Sequence, residues 1–377
     1  MSTDPLLAGR SEARPGSQNP LSRVERPHVA ARMEDALDSW VAARLIGQGW
    51  TVRVVPYAGY GGPGWVRVLA RTVLAARVVA DDDLPDSGAT AQTHDPDRAL
   101  ADVRGWRSFL SAPVAGTPVE VRVGDQVHHL STDRAGYLDH LLAADLPPGW
   151  QEVLLCVAGS TPVTAPVQVA ATVGTGLVCD IDDTVMVTRL PRPFIAAWNS
   201  LVRRADAREA VPGMAQLLCA LHDRDPAGPV VYLSTGAWDT APTVARFLRV
   251  HGFPAGTLLL TDWGPTNTGW FRSGARHKVA QLRRLFHEMP GIRWSLIGDD
   301  GQNDPRIYAG ALARHQDHVG AVLLRQLTFA EHVLSSPTAR HYPPDGTPRP
   351  TLHVPVLAGP DGFALLDAAR RAGLVSV

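Results

Sequence analysis

Apolar and polar positions change rhythm along the chain. Between Val29 and Gln48 the residues Met33, Leu37, Trp40, Val41 and Leu45 recur at three- and four-residue steps, the spacing of one helix face. After that the period shortens to two. Thr51–Val55, Val66–Val79, the run VEVRVGDQVHHL, Gly136–Leu142, Gln151–Val157 and Val163–Val173 read as strands separated by Gly and Pro. VEVRVGDQVHHL turns at Gly124-Asp125, which predicts a hairpin. The polar stretch DDDLPDSGATAQTHDPDR ahead of it reads as a long loop. Strands of this kind predict a small antiparallel β-sandwich over about residues 50–172.

From Gly176 short apolar strands alternate with amphipathic segments. The strands are Leu177–Ile181, Val230–Ser234, Thr257–Thr261, Trp294–Gly298 and Ala321–Leu324. The helices between them are Phe194–Arg203, Gly213–His222, Thr240–His251, His277–His287 and Pro305–His315. This alternation predicts an α/β domain with a doubly wound parallel sheet. The expected organisation is a disordered tail over 1–28, a helix plus β-sandwich-like domain over 29–172, the α/β domain over 173–335, and an extension over 336–377. That extension is Pro-rich, then closes on a helix, Phe363–Ala372, that packs on the core.

Composition supports buried cores: 45% of the 377 residues are hydrophobic and 19% charged, which excludes disorder as the main state. With 36 basic against 37 acidic residues, no whole-molecule field draws the chain to nucleic acid, and no nucleic-acid partner is expected. Cys156, Cys179 and Cys219 are odd in number and form no CxxC pair, which points away from a disulfide framework or structural zinc and fits a cytoplasmic setting. His128 and His129 point to opposite faces of their strand and read as surface histidines. No apolar run approaches the length of a membrane span. Among the 36 Lys and Arg residues, Lys278 is the only lysine. A compact ammonium and a broad guanidinium fork are not interchangeable, so this position is a candidate for chemistry.

Two acidic clusters fall at predicted strand ends. GLVCDIDDTV delivers Asp180, Asp182 and Asp183, and IGDDGQND delivers Asp299, Asp300 and Asp304. Carboxylates gathered at one edge repel and raise each other's pKa unless a cation offsets them. An oxygen-only donor set favours a hard ion, Mg²⁺, with Asp180, Asp182, Asp299 and Asp304 as the expected ligands. Carboxylates with Mg²⁺ at strand ends suggest phosphoryl chemistry. Asp180 is the expected nucleophile, forming an aspartyl-phosphate. Asp182 is the expected general acid, then base. Ser234, with the backbone of Thr235 and Gly236, is placed to hold phosphoryl oxygens, and Lys278 to offset charge in the transition state. Asp183 and Asp300 read as supporting or solvated groups.

The ordered set D-x-D-x-T, a strand ending in Ser, Lys, and G-D-x-x-x-x-D resembles the four motifs of the haloacid dehalogenase superfamily. More closely, DIDDTV, VPGMAQLL, YLSTGAW, HGFPAGTLLLTDWG, HK and LIGDDGQNDPRIY resemble the catalytic domain of the actin-patch-associated phosphatidate phosphatase family, over about residues 174–330. The resemblance implies a HAD-like catalytic domain and Mg²⁺-dependent hydrolysis of phosphatidate to diacylglycerol and phosphate. Two departures bear on substrate choice: Thr235-Gly236-Ala237 stands where family members often carry Pro after the serine, and Asp300 where they often carry Ser.

Superfamily members bury small substrates under inserted caps. Here the segments Met186–Pro212 and Ser234–Lys278 leave room for only a minimal cap, so an open site and a large or interfacial substrate are expected. The loop holding Trp263, Trp270, Phe271, Arg272 and Arg276 suits a lipid surface or an anionic head group, with Arg272 and Arg276 as substrate-binding residues and a peripheral membrane contact as the partner. Two alternatives stay open: a phosphatase acting on a phosphoprotein, nucleotide or sugar phosphate, and a catalytically silent phospholipid-binding module.

Overall fold

The computed structural model describes residues 42, 44–75, 114–187, 209–261, 273–301, 303–328 and 354–375. The expected tail over 1–28, most of the first helix, the loop DDDLPDSGATAQTHDPDR, the helix Phe194–Arg203 and most of the Trp263–Arg276 loop lie outside these residues.

Seven strands build the first sheet: β1 Thr51–Gly62, β2 Trp65–Ala75, β3 Pro118–Val123, β4 Gln126–Ser131, β5 Tyr137–Ala143, β6 Gly149–Cys156 and β7 Val163–Val169. Their order is β4-β3-β6-β7-β1-β2-β5. The hairpin predicted at Gly124-Asp125 is present, with Val123 opposite Gln126 and Gly124 at φ 54°. Glycine tolerates that backbone conformation without a steric penalty.

The second sheet is all-parallel and runs β10-β9-β8-β11-β12-β13, with β8 Gly174–Cys179, β9 Val230–Ala237, β10 Thr257–Thr261, β11 Ile292–Asp299, β12 Val319–Arg325 and β13 Val356–Gly359. Among the described residues five α-helices accompany it: α1 Met214–His222, α2 Ala241–Val250, α3 Ser273–Glu288, α4 Asp304–His315 and α5 Gly362–Arg371. In α1 the buried residues Met214, Leu217, Leu218 and Leu221 follow the helical period. β13 was not anticipated from the sequence. It has four residues, three of them at least partly exposed, and lies close behind prolines, so no period-two signal marks it.

The expected fold class needs correction. The chain does not form a doubly wound HAD-like domain preceded by an antiparallel β-sandwich. Strands β1–β7 make one mixed sheet, because β1 pairs antiparallel with β2 on one edge and parallel with β7 on the other. Apolar residues from β1, β2, β3, β5, β6 and β7, among them Val54, Val68, Val121, Leu138, Leu155 and Val167, form a single cluster. The sheet therefore curls around its own core instead of facing a second sheet. The sequence showed alternation, which a sandwich and a curled sheet share, and carried no sign of the parallel β1–β7 pairing.

A β-bulge in β1 joins the two sheets. Tyr57 lies opposite Leu69 and Tyr60 opposite Arg67, so two residues on β1 oppose one on β2. Without the extra residue Tyr57 and Tyr60 would point to opposite faces; with it both point away from the cluster holding Val54. Tyr57, Tyr60 and Leu69 instead join the core of the parallel sheet. Tyr60 Oη donates to Glu288 Oε2 of α3 at 2.8 Å. Arg67 pairs with Glu288 and Asp139, and Arg284 Nη1 reaches Asp139 Oδ2 at 2.8 Å. Gln168 bridges to the parallel sheet, donating to Gly228 O at 2.9 Å and accepting from Val230 N at 3.1 Å.

Burial pushes the Asp139 carboxyl up, but the Arg284 and Arg67 guanidinium groups outweigh it and hold Asp139 below its ordinary value. Its contribution to stability is therefore present above the ordinary carboxylate pKa and lost as pH falls through the depressed one. Two outcomes are expected from thermal unfolding. Glu288→Ala leaves Arg67 with a broken pair and costs about 3 kcal/mol. Asp139→Asn lowers the midpoint at pH 7, and its effect shrinks as pH falls below the ordinary carboxylate range and the parent carboxylate takes up its proton.

Candidate active site

The strand order of the parallel sheet reverses at β8, whose chain continues by way of β9 to one side while β11 and β12 lie on the other. Ligands in open parallel sheets bind beyond the carboxyl ends of the strands at such a point. Asp180 immediately follows β8 and Asp299 ends the neighbouring β11, the register pairing Cys179 with Ile297. Asp180 N donates to Ile297 O at 2.9 Å, which fixes the two strand ends together.

Asp304 is the first residue of α4, and its carboxylate is fully buried. It approaches the β11 backbone closely: a Cβ on Gly298 would stand 2.4 Å from Asp304 Oδ2, so only glycine fits there. Lys278, on α3, is 4% exposed. Its Nζ lies 2.7 Å from Asp180 Oδ1 and 2.7 Å from Asp304 Oδ1. The only lysine of the sequence is thus the bridge between two acidic motifs.

Ligand atoms of Asp180, Asp299 and Asp304 lie within 4.8 Å of one another, and all three residues are buried. One oxygen of each, Asp180 Oδ2, Asp299 Oδ2 and Asp304 Oδ2, has no hydrogen-bond partner. Buried carboxylate oxygens left unsatisfied are costly. Burial raises the Asp180 carboxyl, with Lys278 opposing. Burial, then Asp304 and Asp180, lifts Asp299 well above its ordinary value. Burial likewise pushes Asp304 up to about 6. Burial disfavours the Lys278 ammonium, but Asp180 and Asp304 outweigh it and hold its pKa above the ordinary value. Three carboxylates against one ammonium leave two negative charges, so the donor set fits a hard divalent cation in charge and in ligand type.

The remaining predicted residues divide. Asp182 is not among the three carboxylates whose ligand atoms lie within 4.8 Å of one another, though its Oδ1 is likewise buried without a hydrogen-bond partner. Its Oδ2 accepts from Ser234 Oγ at 3.1 Å. Ser234 is buried, and its Oγ accepts from Gly236 N at 3.0 Å. Thr261 Oγ1 donates to Thr235 O at 2.8 Å and Gly236 O at 3.2 Å, pinning this loop to β10. Arg276 is exposed on α3, and the two-residue step to buried Lys278 turns about 200° around the helix, so it is not on the face that carries the lysine. Arg272 lies outside the described residues.

Asp300 Oδ1 accepts from Leu327 N at 2.8 Å and so fixes a loop. Sequence reasoning missed Trp238, which follows the Ser234–Ala237 segment and stacks on Tyr57 with ring centroids 4.7 Å apart. It also missed Arg325, whose Nη1 donates to Asp183 O at 2.7 Å. Trp238 closes the run YLSTGAW but acts by packing, and Arg325 carries no motif signal because it acts through backbone carbonyls.

A direct check of the like-charge cluster is Asp299→Asn. The amide oxygen preserves the 2.7 Å contact from Gly301 N to Asp299 Oδ1, while a group whose anionic form burial, Asp304 and Asp180 disfavour is replaced by a neutral one. In chelator this variant is expected to be more stable than the parent by about 1–2 kcal/mol in calorimetry. A lowered unfolding midpoint would show that repulsion among the carboxylates is outweighed by the contacts Asp299 makes.

Residues 175–326 match the family model described as the catalytic domain of phosphatidate phosphatase APP1. The phosphatidate phosphatase APP1 of Saccharomyces cerevisiae is 23% identical over 237 residues, which cover 58% of this chain and 39% of the yeast protein. Likeness to solved structures is remote. A carbohydrate acetylesterase from Xanthomonas citri shares 9% identity at a TM-score of 0.26, covering 74% of this chain and 68% of that one. A 2,6-sialyltransferase from a Photobacterium species shares 8% at 0.22, covering 71% and 40%. The segment that is similar to the APP1 catalytic-domain family, residues 175–326, contains Asp180, Asp182, Ser234, Lys278, Asp299 and Asp304.

Proposed function

We propose that the chain is a Mg²⁺-dependent phosphatidate phosphatase that releases phosphate and diacylglycerol. The observation that carries this reading is the convergence, inside the family-matched segment, of three buried carboxylates on one buried lysine. The yeast relative's name supplies the substrate class, and the site's chemistry supports the reaction type.

Asp180, Asp299 and Asp304 would hold the cation. Bound there, Mg²⁺ offsets charge between the nucleophile and the phosphoryl group. An Asp180 carboxylate oxygen attacks phosphorus, and the bond to the leaving glycerol oxygen breaks as Asp182 gives that oxygen a proton. The product is an acyl phosphate on Asp180 and free diacylglycerol. Asp182, now a carboxylate, takes a proton from water, whose oxygen attacks phosphorus. Phosphate leaves and Asp180 is restored.

Ser234 Oγ, which donates to Asp182 Oδ2 and accepts from Gly236 N, would serve a phosphoryl oxygen by turning its hydroxyl from Asp182 to the substrate. Lys278 opposes the effect of burial on Asp180 and orients it through its 2.7 Å contact, as a nucleophile requires. A substrate-facing role for Arg272 and Arg276 has no support from the described geometry.

The test is phosphate release from phosphatidate in mixed micelles, set beside lysophosphatidate, sugar phosphates, nucleotides and phosphopeptides. Phosphatidate is expected to lead the panel, and chelator to abolish turnover. Asp180→Asn is expected to lower kcat at least about 1,000-fold with its circular dichroism intact. Preference for a soluble phosphoester would replace the substrate, and release from no compound in the presence of Mg²⁺ would leave a lipid-binding module.

A further inference from the structure

The first acidic motif ends in an unusual turn. Asp183 is the one non-glycine residue with positive φ among the described residues, at 58°. An L side chain in that region crowds its own backbone, so the conformation persists only where neighbours hold it. The turn around it is tight. Thr184, Val185 and Met186 all direct their N–H groups at Ile181 O, at 3.4, 3.1 and 3.2 Å, and Asp183 N donates to Met186 O at 2.9 Å. Asp182 sits in this turn, and its direction toward Ser234 depends on the turn's shape.

Arg325 grips the turn from outside. It ends β12, which is separated from β8 by β11, so its side chain crosses a whole strand to reach Asp183. The residue is 6% exposed. Nη1 donates to Asp183 O at 2.7 Å and Nε to Pro360 O at 3.3 Å. Its own carbonyl accepts from Asp300 N at 3.0 Å, and the β11–β12 register places it beside Asp299. One residue therefore touches the backbone of both acidic loops.

We infer that Arg325 is a positioning residue: its guanidinium clamps the left-handed Asp183 turn, setting Asp182 against Ser234 and the first acidic loop against the second. This rests on reading Asp182 as the proton-transfer group. Lysine would replace Arg325 only in part, because a compact ammonium lacks the spread of the guanidinium, whose Nη1 and Nε reach two separate carbonyls.

The test combines hydrogen exchange of the peptide spanning 181–187 with steady-state kinetics of the full chain, for Arg325→Met and Arg325→Lys. In Arg325→Met, exchange at 183–186 is expected to accelerate about 10-fold or more while β8 and β9 keep their protection. The kcat is expected to fall about 100-fold with KM within about threefold, the signature of a misplaced group. Guanidinium ion at non-denaturing concentration should restore part of both, and Arg325→Lys should lie between. Asp183→Gly in the Arg325→Met background should also recover turnover, because glycine reaches φ 58° unaided.

Unchanged exchange and kcat would overturn the clamp. So would exchange that rises equally across β8, β11 and β12 with no rescue, which would make Arg325 a general stabiliser. Should Arg325→Met not fold, Arg325→Lys is judged by the same outcomes. If the parent chain releases no phosphate, the exchange measurement still decides the clamp, and only the phosphatase reading fails.

Discussion

The ammonium of Lys278 lies between Asp180 and Asp304, and the geometry of the site follows from that placement. Asp180 comes from the end of β8, Asp304 from the start of α4 and Lys278 from α3, so one side chain ties three elements at a point from which water is excluded. Charges this deep are tolerated only in compensating groups. With the lysine in place the acidic cluster still carries surplus negative charge and unsatisfied oxygens. The fold thus holds an arrangement that is unfavourable by itself and becomes favourable with a cation, as is common at sites built for chemistry.

The mixed sheet is more than a neighbour. Because of the bulge between Tyr57 and Tyr60, one strand lines the curled sheet's own core with Val54 and presents aromatic residues to the parallel sheet. Those contacts reach two parts of the site. Tyr57 stacks on Trp238, directly beyond the Ser234–Ala237 segment, and Tyr60 with Arg67 holds Glu288 at the far end of the helix that carries Lys278. The register of α3, and so the reach of its lysine, is set from a sheet that contributes no motif.

The gathering of the acidic motifs around Lys278 was more legible than the architecture. Asp180, Ser234, Lys278, Asp299 and Asp304 could be read because carboxylates, a hydroxyl and a solitary lysine at strand ends are local signals, and short apolar strands bounded by turn residues locate those ends well. The parallel pairing of β1 with β7 could not be read, since it joins segments about 100 residues apart and leaves no trace in either one's alternation. β13 was invisible for a different reason: four residues with a mostly exposed pattern look like linker. The contact of Asp182 with Ser234 could not be read, because spacing alone does not say which way a side chain turns. Arg325 stayed hidden because it acts through carbonyl groups, which every residue has.

A chain whose other basic residues are all arginine presents reagents that seek side-chain primary amines with a single target, and that target is enclosed among carboxylates at the reacting centre. Acylating or reductively alkylating labels should therefore be nearly inert toward the side chains of the folded molecule, and any that do couple there will mark the pocket itself. Occupancy of the pocket by an anion or a cation then becomes readable as protection of one residue by mass spectrometry, with no engineered tag and no background from the surface.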